Sequence, residues 1–157
     1  MIDWERVGFR HGVLLRRALP YIIIFVVALA FGAIVAAEPR ITVLDGDTVR
    51  SDGITYRLVG FDTPETGDRA RCPAEAELGR AASARLRGLI DAGPVVLDPV
   101  PCACSPGTEG TRLCNFGRRC ARLTVGGKDV GEILIGQGLA RRYACSATRC
   151  PARKAWC

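Results

Sequence analysis

Two short acidic segments could do chemistry in this chain, Asp45-Gly46-Asp47-Thr48 and Asp62-Thr63-Pro64-Glu65, and Arg57 lies between them in Tyr56-Arg57-Leu58. Carboxylates that converge with a backbone carbonyl make an oxygen-only site, which suits a hard cation such as Ca²⁺. The competing reading is plain: Asp45 and Asp47 cap a turn and Asp62 starts a loop. Spacing alone leaves both open. Arg57, set among hydrophobic neighbours in a strand-like run, either faces solvent or points into a site that binds anions. The single histidine, His11, sits in the N-terminal arm. Chemistry in the body of the protein must therefore run without imidazole, which excludes Ser-His-Asp and Cys-His hydrolysis and Cys2His2 zinc sites.

These residues have to be carried by one domain. The chain has 157 residues and a net charge of +6, with 48% hydrophobic and 24% charged residues, which suits one ordinary domain plus an appendage. The appendage is N-terminal. Positions 21–37 (YIIIFVVALAFGAIVAA) hold no charge, and with Ala18, Leu19 and Pro20 the apolar run (18–37) is long enough to cross a bilayer as a helix. Arg6, Arg10, Arg16 and Arg17 outnumber Asp3 and Glu5 before it, so the chain after Glu38 is expected outside the cytoplasm. The segment reads as an uncleaved membrane anchor or as a signal cut after Ala37; export is common to both. The expected division is thus 1–37 for arm and export segment and 40–157 for the domain.

The cysteines agree with export. All eight follow the apolar run: Cys72, Cys102, Cys104, Cys114, Cys120, Cys145, Cys150 and Cys157. An even number fits up to four disulfides in an oxidising compartment, with the connectivity left open. A zinc or thiol module is the rival, although no paired C-x2-C spacing supports it.

The elements that must position the acids read as follows. Alternation predicts a strand over 41–50, a turn at Ser51-Asp52-Gly53 and a second strand over 54–61, with a polar loop over 62–71. Pro73 opens a helix with Leu78, Ala82, Leu86, Leu89 and Ile90 on one face, ending at Gly93. A short buried strand over 94–97 leads into a Cys-rich surface loop (101–120, most irregular over 101–114), followed by a strand over 119–125. Asp129 and Glu132 form a capping box on a second helix, closed by Gly138 before a last strand, 139–143. This order suggests an α+β unit, a small closed barrel with appended helices. After Ala37 there are 18 Arg and Lys against 14 acids, and no acid follows Ile133 while Arg141, Arg142, Arg149, Arg153 and Lys154 accumulate. Such a basic tail favours phosphate or an anionic membrane surface, or is merely solvated.

In sum the residues resemble the staphylococcal nuclease (thermonuclease) family. The likeness runs from about Arg40 to Tyr143 and rests on Asp45-Gly46-Asp47-Thr48-Val49, on 57–66 (RLVGFDTPET), on Phe116-Gly117-Arg118, and on Gly126-Gly127-Lys128 with Gln137-Gly138-Leu139-Ala140. The resemblance implies a five-stranded OB-type β-barrel with appended helices, here preceded by the transmembrane or signal helix. It implies that Asp47, Asp62 and the Thr63 carbonyl hold one Ca²⁺, with Asp45 close behind. Glu65 would orient or deprotonate water, and Arg57 and Arg118 would clamp the phosphodiester. The implied activity is Ca²⁺-dependent cleavage of DNA and RNA with little sequence preference, leaving 3′-phosphate ends, by a monomer. A non-catalytic OB-type module that binds nucleic acid or protein at the cell envelope is the alternative. The chain departs from the family pattern at Phe116, where tyrosine is usual, at Asn115, where a basic residue is common, and in its long Cys-rich loop. Its Cys-rich C-terminus (144–157) stands where a terminal helix is usual, and disulfides are expected to take that helix's place.

Overall fold

The computed structural model describes residues 40–157; the expected export segment, 1–37, lies outside the described residues. Among the described residues no helix is long and apolar enough to cross a membrane.

The first acidic segment is a turn, not the end of a strand. β1 (Ile41–Asp45) and β2 (Thr48–Ser51) form an antiparallel hairpin with Asp45 opposite Thr48, so the strand expected over 41–50 is corrected to two. Gly46-Asp47 makes the tip, and an irregularity between Val43 and Asp45 twists the strand into it. A Cβ on Gly46 would stand 2.8 Å from Thr63 Oγ1 and 3.0 Å from Ala82 Cβ. Only glycine lets the tip press against those neighbours.

Asp52 and Gly53 then turn the chain with φ of 49° and 78°, the type I′ geometry that suits a two-residue hairpin, into β3 (Ile54–Leu58). The run over 54–61 also divides. Gly60, at φ 94°, bends the chain out of the main sheet, and β4 (Gly60–Asp62) pairs with β8 (Arg141–Tyr143) instead. β3 runs parallel to β6 (Arg119–Val125), which pairs antiparallel with β5 (Val95–Val100) and with the short β7 (Lys128–Asp129).

The sheet order is β1-β2-β3-β6-β5. With the short strands set aside, this is the 1-2-3-5-4 path of an OB-type α+β fold. No ladder among the described residues joins β5 back to β1. The closed barrel expected from sequence is therefore a curled half-barrel. β5 is also not the buried strand foreseen over 94–97. It is an edge strand with Val96 61% exposed, and Pro99 is tolerated there because an edge position has no second partner to serve.

Helix α1 (Pro73–Ile90) lies against β1, and its buried stripe recurs at helical spacing: Glu75, Gly79, Ala82, Ser83, Leu86 and Leu89. It stops at Ile90, short of Gly93. Helix α2 (Val130–Gly136) buries Val130 and Leu134. Asp129 caps it by accepting from the Glu132 N–H at 3.1 Å, but the return arm of the capping box is not made, because the Glu132 carboxylate forks with Arg142. The core between helices and sheet is built on Val49, Tyr56, Leu58, Phe61, Leu86, Leu123 and Leu134.

All eight cysteines are paired: Cys72–Cys157, Cys102–Cys120, Cys104–Cys114 and Cys145–Cys150. No thiolate is left for zinc, which removes the zinc-module reading. Residues 144–157 form no helix or strand and are held by two of the four bonds. Cys72–Cys157 closes the longest loop, a separation of 85, and is worth roughly 4 kcal/mol on chain entropy. Strong reductant should therefore lower the melting temperature by on the order of 10 °C. A melting curve that does not move with dithiothreitol would show the staples to be idle.

Candidate active site

The hairpin ladder itself brings the two acidic segments together. Thr48 pairs with Arg57, and the Leu58 N–H donates to the Asp47 carbonyl at 2.8 Å. The bend at Gly60 then carries Asp62 and Thr63 back across the tip, where the Thr63 N–H donates to Asp47 Oδ2 at 3.3 Å. Asp45, Asp47, Asp62 and Thr63 are all buried. Like charges this close repel unless a cation lies between them. Arg57 supplies it, pairing with Asp47 through one terminal nitrogen and with Asp62 Oδ1 at 3.0 Å through the other, which also donates to the Phe61 carbonyl. Its side chain is only 14% exposed. Of its two sequence readings, the inward one holds.

Arg118 comes from the other side of the groove. Its Nε donates to the Asn115 carbonyl (3.0 Å), its Nη2 to Asn115 Oδ1 (2.8 Å) and its Nη1 to Thr48 Oγ1 (3.3 Å). Asn115, which sequence marked only as a missing basic residue, is the side chain that aims Arg118. Asn115 and Phe116 both take left-handed backbone (φ 51° and 60°), and Phe116 is 84% exposed beside the Arg118 guanidinium. Cys104–Cys114 and Cys102–Cys120 brace this tight turn on both flanks. Burial, and then the charge of Arg57, hold the Arg118 pKa below the usual arginine value. Two crowded guanidinium groups favour an anion between them.

Glu65 lies in the loop before α1, and a buried strut fixes that loop. Glu75, 0% exposed, accepts from the Arg71 N–H at 2.7 Å and from the Glu65 N–H at 3.5 Å. The Arg71 backbone bond, ahead of the opposing effect of burial, holds the Glu75 carboxyl below the ordinary glutamate range. On the next turn of α1, a Cβ on Gly79 would fall on the Glu65 carbonyl oxygen and 2.8 Å from that of Pro64. Glycine therefore allows the loop to rest on the helix. Arg69 links the loop to the hairpin, contacting Glu65 Oε2 at 3.3 Å and Asp45. Burial raises the Asp45 pKa, though the Gly46 N–H opposes the shift.

The basic C-terminus is not a free arm. Arg142 pairs with Glu132, Arg141 stacks on Trp156 at 3.9 Å, and Arg153 enters the site. Arg153 Nε lies 2.6 Å from Asp62 Oδ1, its Nη2 donates to the Thr63 carbonyl at 2.9 Å, and its Nη1 pairs with Glu65. Burial opposes its charge, but the Glu65 and Asp62 carboxylates outweigh that and hold it protonated more firmly than free arginine.

Asp47, Glu65, Arg57, Arg118 and Arg153 thus line one groove of about 1360 Å³, and Asp62 lies buried behind Arg57 and Arg153. Among the described residues no three Asp, Glu, His or Cys side chains are grouped to hold a metal by themselves. A cation here would need the Thr63 carbonyl beside Asp47 and Asp62. That donor set is all oxygen and fits a hard divalent ion.

Residues 55–155 match the model of the staphylococcal nuclease homologue family. The chain belongs to that family. Two relatives from Bacillus subtilis (strain 168) are similar over 104 residues, 62% of this chain: endonuclease YncB, 35% identical with 44% of its own length covered, and the SPbeta prophage-derived endonuclease YokF, 34% identical with 31% covered. The chain therefore spans less than half the length of these curated relatives. Within this staphylococcal nuclease homologue, the sequence reading missed Glu75, Gly79, Arg69 and the site role of Arg153. Only a buried-stripe position occupied by an acid hinted at the first.

Two outcomes follow from the strut. Gly79→Ala should destabilise the fold by about 2 kcal/mol, since the methyl meets backbone that cannot yield without moving the loop; a thermal melt reads this. Glu75, with its folded pKa lowered, adds stability at neutral pH that fades as pH falls through the ordinary glutamate range and below. Asp45, raised, works in the opposite direction. Glu75→Gln should cost about 1–3 kcal/mol at neutral pH and flatten the acid limb of melting temperature against pH. An acid limb as steep as wild type would remove Glu75 from this role.

Proposed function

We propose that this protein is an exported, Ca²⁺-dependent nuclease that hydrolyses phosphodiester bonds of DNA and RNA with little sequence preference. The observation that carries the reading is the meeting of Arg57 and Arg118 with Glu65 and Asp47 in one groove of a staphylococcal nuclease homologue, with Asp62 on Arg57 behind it. The printed names of the two relatives, both endonucleases, point the same way.

Phosphodiester hydrolysis needs a positioned water, donors for the charge that grows on the non-bridging oxygens, and a route for one proton. Glu65 takes a proton from water as its oxygen attacks phosphorus in line. Arg57 and Arg118 donate to the non-bridging oxygens, and their planar forks match the phosphate edge. The P–O5′ bond breaks, the leaving oxygen takes a proton from solvent, and a 3′-phosphate remains. Asp47, Asp62 and the Thr63 carbonyl would hold Ca²⁺, which when bound neutralises charge on the phosphate. The groove is open and binds through phosphate, so it serves either nucleic acid without reading bases.

Export rests on the arginine-flanked apolar run at 18–37 and on four disulfides, which belong to an oxidising compartment. The domain would stand outside the cytoplasm, anchored if the run is kept and free if it is cut after Ala37.

The test is digestion of plasmid DNA and of RNA by the oxidised full chain, with Ca²⁺ and with chelator. Cleavage should require Ca²⁺. Glu65→Ala should lose about 10²–10⁴-fold in rate. Arg57→Lys should not recover what Arg57→Ala loses, because an ammonium cannot reproduce the fork. DNA binding without any cleavage under these conditions would replace the enzyme by the non-catalytic binding module.

A further inference from the structure

Arg153 touches three groups, and all three already have roles in the proposed reaction. Its Nε is on Asp62, its Nη2 on the Thr63 carbonyl and its Nη1 on Glu65. The first two belong to two of the three groups assigned above to the metal ion, Asp62 Oδ1 being shared with Arg57 Nη2 at 3.0 Å; the third is the proposed base. Nitrogen stands 2.6 and 2.9 Å from those two oxygens. A Ca²⁺ ion sharing the same oxygens at about 2.4 Å would lie against the guanidinium, and the two positive charges would repel. Both cannot occupy the position at once.

The contact is built into the tail. On one side of Arg153, the Tyr143 hydroxyl donates to the Pro151 carbonyl at 2.7 Å. On the other, Arg141 donates to the Ala155 carbonyl at 2.8 Å and stacks on Trp156, and Cys157 is bonded to Cys72 at the start of α1. The arginine is held from both flanks over the groove. A group tethered in this way acts at an effective concentration of order millimolar, against which a free ion has to compete.

Resting on the metal-dependent reading above, we propose that Arg153 is a tethered counter-cation, competing with the metal ion for Asp62 and the Thr63 carbonyl, so that the C-terminal tail sets the metal affinity of the site. Loading the metal expels Arg153 and at the same step releases Glu65 from one of its two arginine partners. The Cys72–Cys157 bond keeps the competitor close. The device couples occupancy of the site to the freeing of its base.

The test measures Ca²⁺ binding to the oxidised full chain by titration calorimetry, so that affinity is read independently of cleavage. Arg153→Ala, which keeps all four disulfides, should bind Ca²⁺ about tenfold more tightly. Lys154→Ala removes the same charge from the neighbouring position and should bind as wild type does. The double variant Cys72→Ser/Cys157→Ser, in which the arginine is present but its tether is cut, should tighten binding by a smaller factor. Asp62→Asn should abolish the saturable binding in every background. Equal affinity in wild type and Arg153→Ala, weaker affinity in Arg153→Ala, or an equal gain from Lys154→Ala would each overturn the proposal and leave the nuclease reading standing. Ca²⁺ binding by none of the variants, together with no cleavage, would remove the metal-dependent reading and this proposal with it.

Discussion

Asp47 and Asp62 are buried carboxylates on the same rim, and Arg57 lies between them. Two such charges, taken from water and set close together, would each disfavour the folded chain by several kcal/mol if left alone. One planar cation with two terminal nitrogens meets both at once, which no lysine in that position could do. This bracket explains why the strand breaks where it does. The chain must leave the main sheet after Leu58 to bring Asp62 to the far side of Arg57, and Gly60, with its positive φ, makes that turn. β4 then takes its hydrogen bonds from β8, so the last strand exists to receive the segment that the bracket pulled out of line.

The remaining parts of the rim are held by close approach more than by buried area. Gly46 lets the hairpin tip lean on Thr63 and Ala82, and Gly79 lets the Glu65 loop sit on α1. Between them Glu75 reaches out of the helix into backbone N–H groups of that loop. A carboxylate with no exposed surface is tolerable only because those donors replace its water. The same helix thus serves two ends. Its Leu86 and Leu89 face closes the core, while its first turns carry the floor of the site.

Much of this was legible in the sequence, and the failures are specific. α1 was readable from its long apolar period and its opening proline, and β6 and α2 from the Gly126-Gly127 turn between them and the Asp129 cap. The split of 41–50 was missed although Asp-Gly is a strong turn signal, because Val43 and Val49 keep an alternating pattern across the tip. Asp47, Asp62, Glu65, Arg57 and Arg118 were found as residue types in a familiar order. Their meeting depends on a ladder register and a glycine bend, neither of which composition reveals. Glu75 went unread among the acids of a helix start, and Arg153 was one more charge in a basic tail. Glu75 owes its place to backbone N–H groups of the loop folded back before its helix, and Arg153 to partners some ninety positions away and to a disulfide spanning 85 positions. Local pattern carries no signal for the contacts of Arg153.

The disulfides follow the same physical need as the bracket. An arginine that must stay at one point loses up to about 2 kcal/mol of side-chain freedom, and its backbone has to be fixed as well. Arg57 obtains that from β3, whose ladders hold it on both sides. Arg118 lies in a loop with two left-handed residues and Arg153 in a tail without regular structure, so neither has a ladder to rely on. Two disulfides flank the first and two confine the second. The covalent bonds are thus placed where guanidinium groups must be kept close to the groove and hydrogen-bonded strands are lacking, Arg118 being fixed and Arg153 held near. A small half-barrel can set arginines around one groove in this way where hydrogen-bonded strands do not reach.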